Sequence, residues 1–300
     1  MTYNVEVKHS ASNGGWESRN PTTAIQTVIN ANPDIVGFQE DGDDWDSYLA
    51  ELKNNGYANI SSKYNGGWLN SWGNGWENVD IYYKEAKFEY ITSGFEFYKE
   101  IAEEYPNVDD GGANMDIDKN GDDQFWWSDD AKGRMFSYVV LKDNDSGAII
   151  LVVNTHLHYG DGTGSEEKHQ DDHILREYQA RLMCAWLEDM KAEYPNQIVI
   201  GDMNAAPTSN NGKRVINEFT NSGLIFARDE AFLKGDVGGT LASTSTYKSR
   251  DQYVFDHILY RNMTAVEYSV INNMVDEVDG EMRYPSDHLP VIAKFICYAE

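Results

Sequence analysis

Six short segments carry acid, amide and imidazole side chains at the ends of apolar runs: MTYNVE (Met1 to Glu6), PDIVGFQED (Pro33 to Asp41), NTHLHY (Asn154 to Tyr159), IVIGDMNAAP (Ile198 to Pro207), FDHILY (Phe255 to Tyr260) and YPSDHLPVIAKF (Tyr284 to Phe295). The apolar parts are of β type, so a rigid sheet would deliver these polar groups to one rim. Glu40 ends the buried run Ile35 to Phe38, where a carboxylate is costly unless it meets a cation. Asp202 and Asn204 stand two apart and share a side of extended chain, with Gly201 letting the backbone turn; the same GDMN spacing also suits a plain Asx turn. Asn4 and Glu6 share a face of the first strand, where Glu6 reads equally well as a solvated residue. A held cation, a carboxylate that prepares water, and donors that stabilise extra negative charge are together what phosphoester hydrolysis needs.

A second acidic constellation is DIDKNGDD, which places Asp116, Asp118, Asn120 and Asp122 at alternating positions with Gly121 at the turn. This is the first half of a calcium loop of EF-hand type. Its twelfth position is Trp127 rather than Glu, so the bidentate ligand is missing unless Asp129 or Asp130 supplies it. The expectation is divided between a structural Ca²⁺ site and an acidic turn. Trp68, Trp72 and Trp76 lie among glycines and asparagines in YNGGWLNSWGNGWEN and read as a surface loop; their rings could stack on a base or sugar, and loop-anchoring packing is the plainer reading.

Such residues meet only if the chain builds sheets. Asn20-Pro21-Thr22 begins a helix with Ala24, Ile25, Val28 and Ile29 at helical spacing, and Asn32-Pro33 ends it ahead of the short buried strand Ile35 to Phe38. The same strand-helix-strand order recurs in VVNTHL, a helix from Ile174 to Lys191, and IVIGD. DIYYKEAKFEYI and AVEYSVI alternate as half-exposed antiparallel strands do. The fold class expected is α/β (α+β): a four-layer sandwich of two packed mixed β-sheets flanked by helices. No spacer or repeat divides the 300 residues, and the first and last motifs complete one site, so a single domain over 1–300 is expected.

Taken in order, the six motifs resemble the endonuclease/exonuclease/phosphatase superfamily, the DNase I-like fold, from Asn4 to Phe295. The resemblance implies a divalent-metal-dependent phosphoester hydrolase using Mg²⁺ or Mn²⁺, of the nuclease-type phosphodiesterase kind. It makes Glu40 the main metal ligand and Asp287 the residue that completes the metal site. On the same resemblance Asp202 is expected to orient or deprotonate the attacking water, and Asn204 and Asn4 to face the phosphate, with Glu6 as an acidic companion. The resemblance further implies that Asp256 holds His288, which would contact the scissile phosphate, while His156, supported by Glu77, would serve the leaving group. Arg134, opening the strand in GRMFSYVV, is a phosphate candidate and equally an ordinary surface arginine. His158 and His257 are expected to be structural, and His9, His169 and His173 solvated.

Two alternatives stand beside this. One is a lipid (sphingomyelinase-like) or inositol phosphate hydrolase, although DHILY lacks the WCDR-type run of the inositol polyphosphate phosphatases. The other, of a different class, is a non-catalytic binding or adhesion module on the same fold. With Lys+Arg 24 against Asp+Glu 50, the formal charge of −26 repels nucleic acid, yet a cation in the site would reverse the sign locally. The partner expected is a phosphoester, whether DNA, RNA or a phospholipid headgroup, and the chain is expected to be monomeric. No run of about eighteen apolar residues is present, so no transmembrane helix is expected. Cys184 and Cys297 read as buried free thiols. No export leader is expected where the chain opens on a strand; the compartment stays open, with an extracellular origin favoured and any leader expected outside this sequence.

Overall fold

The computed structural model describes residues 1–5, 21–41, 45–61, 78–111, 134–159, 166–242, 253–274, 276–278 and 281–299. The elements begin with β1 (Thr2–Asn4), α1 (Pro21–Ala31), β2 (Ile35–Gln39), α2 (Asp46–Asn54), β3 (Tyr57–Ile60), β4 (Ile81–Lys84), β5 (Phe88–Phe97) and α3 (Tyr98–Glu104). Next come β6 (Met135–Asp143), β7 (Ile149–His156), α4 (Glu166–Met190), β8 (Gln197–Asp202), α5 (Asn210–Asn221), β9 (Ile225–Phe226), α6 (Ala227–Glu230) and β10 (Leu233–Lys234). The chain closes with β11 (Asp256–Arg261), β12 (Thr264–Val270), β13 (Asp276–Val278), β14 (Glu281–Arg283) and β15 (Val291–Ile296).

Among the described residues, a seven-stranded sheet runs β10-β12-β15-β1-β2-β4-β3 and a six-stranded sheet runs β5-β6-β7-β8-β11-β9. Each is mixed: β1 pairs parallel with β2 and antiparallel with β15, and β8 pairs parallel with β7 and antiparallel with β11. The strands β1 and β2 pack across onto β7 and β8. Apolar runs on both faces of the central strands explain why. Ile150, Val152, Ile198, Ile200 and Ile258 fill the space between the sheets, while the alternate residues Leu151, Val153, Val199 and Leu259 pack with Leu182, Met183 and Leu187 of α4. Ala24, Ile25 and Val28 of α1 cover the other sheet. This is the expected four-layer sandwich. No helix among the described residues is long and apolar enough to cross a membrane.

Three local readings change. The run DIYYKEAKFEYI is not one strand: it breaks at residues 85–87, β4 joining the seven-stranded sheet and β5 the six-stranded one. Alternation predicted the half-exposed β5, whereas β4 is buried between neighbours. Helix α4 starts at Glu166, ahead of the expected Ile174, and ends at Met190. Cys184 is buried and Cys297 only half-buried, both free. Helix α1 begins at Pro21 as expected, and Asn32, at φ 51°, ends it in the left-handed conformation before Pro33.

Candidate active site

Strand register places the first row of the site. In the six-stranded sheet Asp202 is the Cα partner of His156 on one side and of Asp256 on the other. Directly paired residues project on one face, and alternation from Ile200, Val152 and Ile258 turns that face toward the other sheet. Gly201 permits this close pairing, because a Cβ there would fall 2.0 Å from the Thr155 carbonyl oxygen.

The opposite sheet supplies Asn4 and Glu40. The Asn4 amide spans the gap, Nδ2 donating to Glu40 Oε1 at 3.0 Å and to Asp202 Oδ2 at 3.1 Å. Glu40 follows β2 at φ 60°, a left-handed conformation for a residue with a side chain. Period 2 would send Glu40 away from the face that Gln39 occupies; the left-handed step redirects it into the site. Its side chain is 20 % exposed against 2 % for Asp202, so Glu40 is the carboxylate nearer solvent.

Asp202 Oδ2 is the hub. Besides Asn4, it has His156 Nε2 and His288 Nε2 each at 3.6 Å, and Glu40 Oε1 lies 3.9 Å from His156 Nε2. The other oxygen, Oδ1, accepts from the Asn204 backbone N–H at 2.8 Å, with Asn204 at φ 48°. The Asx turn and the site are therefore one structure. The Asn204 side chain, expected on phosphate, donates one Nδ2 hydrogen to the Leu157 carbonyl at 3.0 Å. Arg134 is not a surface residue: it is buried, Nη1 donates to the same Leu157 carbonyl at 3.2 Å, and the guanidinium lies 5.7 Å from the Tyr159 ring centroid.

His288 is held on every side. Its Nδ1 meets Asp256 Oδ2 at 2.8 Å, its backbone N–H donates to Ser286 Oγ at 3.1 Å, and it bridges Leu241. Ser286 Oγ in turn donates to the Asn4 carbonyl at 2.8 Å, and Thr240 Oγ1 accepts from the backbone of Phe255 at 3.0 Å and Asp256 at 3.2 Å. Thr240 and Ser286 were missed from sequence. Ser286 lies inside the YPSDHLPVIAKF segment, which carries a signal for it; Thr240 has none. Asp287 stands half-buried beside His288, its Oδ1 3.5 Å from Ser286 Oγ.

Electrostatics separate acid from base. Burial alone would lower the His288 pKa, but the Asp256 and Asp202 carboxylates outweigh it and hold the imidazole well above its ordinary value, hence cationic at neutral pH. Burial alone would raise Asp202, but His288 and His156 beside it, with the bonds from Asn204 and Asn4, keep it below the usual carboxylate value. His257 goes the other way: burial pushes it down to about 4, and its Nε2 lies 2.9 Å from the Ala205 carbonyl, a neutral structural contact as expected. His158 is buried, and its backbone N–H donates to Gln179 Oε1 at 2.8 Å. His173 is not merely solvated, since Arg176 Nη2 donates to its Nδ1 at 2.6 Å.

Ligand atoms of Asp202, Asp256 and His288 lie within 4.8 Å of one another, all buried. His288 is committed to Asp256 and carries a proton, so its ring is a poor ligand. The hard oxygens of Glu40, the carboxylate nearer solvent, suit a divalent cation of the Mg²⁺ class better. A cavity of about 690 Å³ between the sheets, lined by Ile150, Val152, Ile198 and Ile258, touches none of these residues and lies toward the other end of β7. Glu6, Glu77, Asp116, Asp118, Asn120 and Asp122, together with Trp68, Trp72, Trp76, His9 and the side chain of His169, lie outside the described residues.

Two mixed sheets flanked by helices, with acids, amides and histidines gathered at one rim, are the architecture of a phosphoesterase class, and the chain belongs to the Endonuclease/Exonuclease/phosphatase family, whose profile matches residues 1–288. No curated protein sequence matches it. Among solved structures it is similar to the mannosyl-6-phosphatase of Bacteroides thetaiotaomicron, at TM-score 0.67 and 19 % identity over 98 % of each chain. It is similar also to the human Nocturnin catalytic domain with bound sulfate, at TM-score 0.61 and 18 % identity over 98 % of this chain and 91 % of that one. A third is truncated Caenorhabditis elegans TDP2, at TM-score 0.62 and 14 % identity over 99 % of this chain and 96 % of that one.

Proposed function

We propose that this protein is a divalent-cation-dependent phosphoester hydrolase, acting as a nuclease-type phosphodiesterase. The observation that carries the reading is the Asp202 carboxylate ringed by Asn4, His156 and His288, with His288 braced by Asp256. Asp202 takes a proton from the attacking water. The new P–O bond forms as the bond to the leaving oxygen breaks, and His156 delivers a proton to that oxygen. Cationic His288 and the Asn4 amide stabilise the charge gathering on the phosphoryl oxygens, and Asn204 N–H keeps Asp202 oriented. Glu40 and Asp287 would hold Mg²⁺ or Mn²⁺, which when bound withdraws charge from the phosphate.

A second reading has its own support. The net charge of −26 resists long polyanions away from the cation, so a small phosphoester such as a sugar phosphate or a lipid headgroup is the alternative substrate, in keeping with the phosphatase activity named for the Bacteroides relative. One panel tests both: plasmid DNA, RNA, sphingomyelin, inositol phosphates and mannose 6-phosphate, each with Mg²⁺, Mn²⁺ or Ca²⁺ and with EDTA. Cleavage of the polynucleotides in Mg²⁺ or Mn²⁺ supports the first reading, and turnover restricted to small esters supports the second. Inactivity across the panel would overturn both in favour of a binding module.

A further inference from the structure

Two residues before His156, on the same face of β7, lies Asn154, which the proposed chemistry does not use. It is fully buried, and its amide ties the two sheets together. Oδ1 accepts from Gln39 Nε2 at 2.6 Å, and Nδ2 donates to the carbonyls of Phe38 at 2.7 Å and Asp80 at 3.0 Å. Gln39, also fully buried, donates in addition to Thr2 Oγ1 at 3.1 Å. β2 makes room for the clamp at Gly37, where a Cβ would fall 2.6 Å from Asn154 Cγ.

Directly after Gln39, past the end of β2, stands Glu40, in its left-handed turn and anchored by its backbone N–H on the Asn78 carbonyl at 3.1 Å. Aliphatic packing between sheets is non-directional and tolerates small sliding, whereas a network of buried hydrogen bonds specifies one position. Any slip of β2 against β7 would pass directly into the 3.9 Å separation of Glu40 from His156 and into the Asn4 bridge.

We propose that Asn154, acting through Gln39, is a positioning residue for the cation site: it fixes where the end of β2 stands against β7 and β8 and so sets the affinity of Glu40 for its cation. The inference rests on the hydrolase reading. Its rival is that the network only satisfies buried polar groups. The two differ in what happens when both amides are removed. Replacing both partners of a buried hydrogen bond by apolar groups of similar shape is nearly neutral for stability, whereas removing one leaves the other unpaired.

The experiment compares the parent protein, Asn154→Leu, and the double variant Asn154→Leu with Gln39→Met. Unfolding is followed in urea, Mn²⁺ binding by calorimetry without substrate, and kcat and KM on the best substrate of the panel. The double variant is expected to recover the part of the loss that comes from leaving the Gln39 amide unpaired, while the donors to the Phe38 and Asp80 carbonyls are lost in both variants. Its Mn²⁺ affinity should still be weaker by roughly 10–100-fold, the range seen when residues supporting metal ligands are changed. The kcat at saturating Mn²⁺ should fall while KM changes little. A double variant that binds Mn²⁺ and turns over like the parent overturns the inference alone; a parent that neither binds Mn²⁺ nor hydrolyses any substrate overturns the hydrolase reading and the inference with it. Should the double variant not fold, Gln39→Asn, which keeps an amide but withdraws it by one methylene, carries the same expectation and the same refutation.

Discussion

Replacing Asp256 by asparagine tests the electrostatic heart of the proposed site while leaving its shape intact. In the parent, Asp256 Oδ2 lies 2.8 Å from His288 Nδ1, both groups buried, and the second carboxylate, Asp202, is 3.6 Å from Nε2. An adjacent opposite charge raises a histidine pKa by about 1–3 units, each unit being about 1.4 kcal/mol in favour of the cation. The sign follows from which form works. Cationic His288 stabilises the phosphoryl charge, so activity is present below its pKa and lost above it. Losing the Asp256 charge lowers that pKa, and the alkaline limb of the pH-rate profile should move to lower pH by about 1–3 units. Asp202 remains in place and retains part of the elevation, which favours the lower end of the range. The acid limb, set by protonation of Asp202, should hardly move, because at acid pH His288 is charged in both proteins. The assay is kcat/KM against pH at saturating metal, with folding checked by thermal unfolding at each pH. His288→Ala should lose about 10²–10⁴-fold, and adding Asp256→Asn to it should cost little more, since the two act as one unit. An alkaline limb that stays in place, or additive losses in the double variant, would refute the reasoning.

Three further outcomes are expected. Glu40→Gln keeps the shape of the side chain but removes the charge that attracts a hard cation, so calorimetric Mn²⁺ binding and turnover should both collapse while the melting temperature stays level or rises; full activity in EDTA would contradict this. His257 is buried neutral with its pKa pushed down to about 4, so between the unfolded value near 6.5 and that point the unfolded chain binds a proton the folded one refuses. Stability should therefore fall by about 3 kcal/mol as pH drops through that window, and His257→Gln should flatten that part of a urea-denaturation series. If DIDKNGDD binds Ca²⁺, millimolar Ca²⁺ should raise the melting temperature by mass action, and Asp116→Ala with Asp118→Ala should abolish the rise; a parent protein indifferent to Ca²⁺ leaves the acidic turn.

The residues that meet at the rim were legible in the chain itself, because each follows an apolar β run and strand periodicity says which side of the run it takes. Asp202 follows Ile198 and Ile200 at intervals of two, His156 follows Ile150 and Val152, and Asp256 leads Ile258, so all three share the face that the isoleucines and valine bury. The four-layer class was legible for the same reason: strands apolar on both faces need cover on both. Partners were not. Periodicity assigns a face but not what lies across it, and the bond from Asn4 to Asp202 joins residues 198 apart in the chain. Tertiary structure alone decided that one amide would bridge two carboxylates, that Leu157 would claim the Asn204 side chain, that Arg134 would be buried under Tyr159, and that Thr240 and Ser286 would brace the Asp256 and His288 pair. It also decided where periodicity gives way. The left-handed step at Glu40 turns a side chain into the site that strict alternation would send away from it, and such a step in a non-glycine residue is held by surroundings that no local sequence contains.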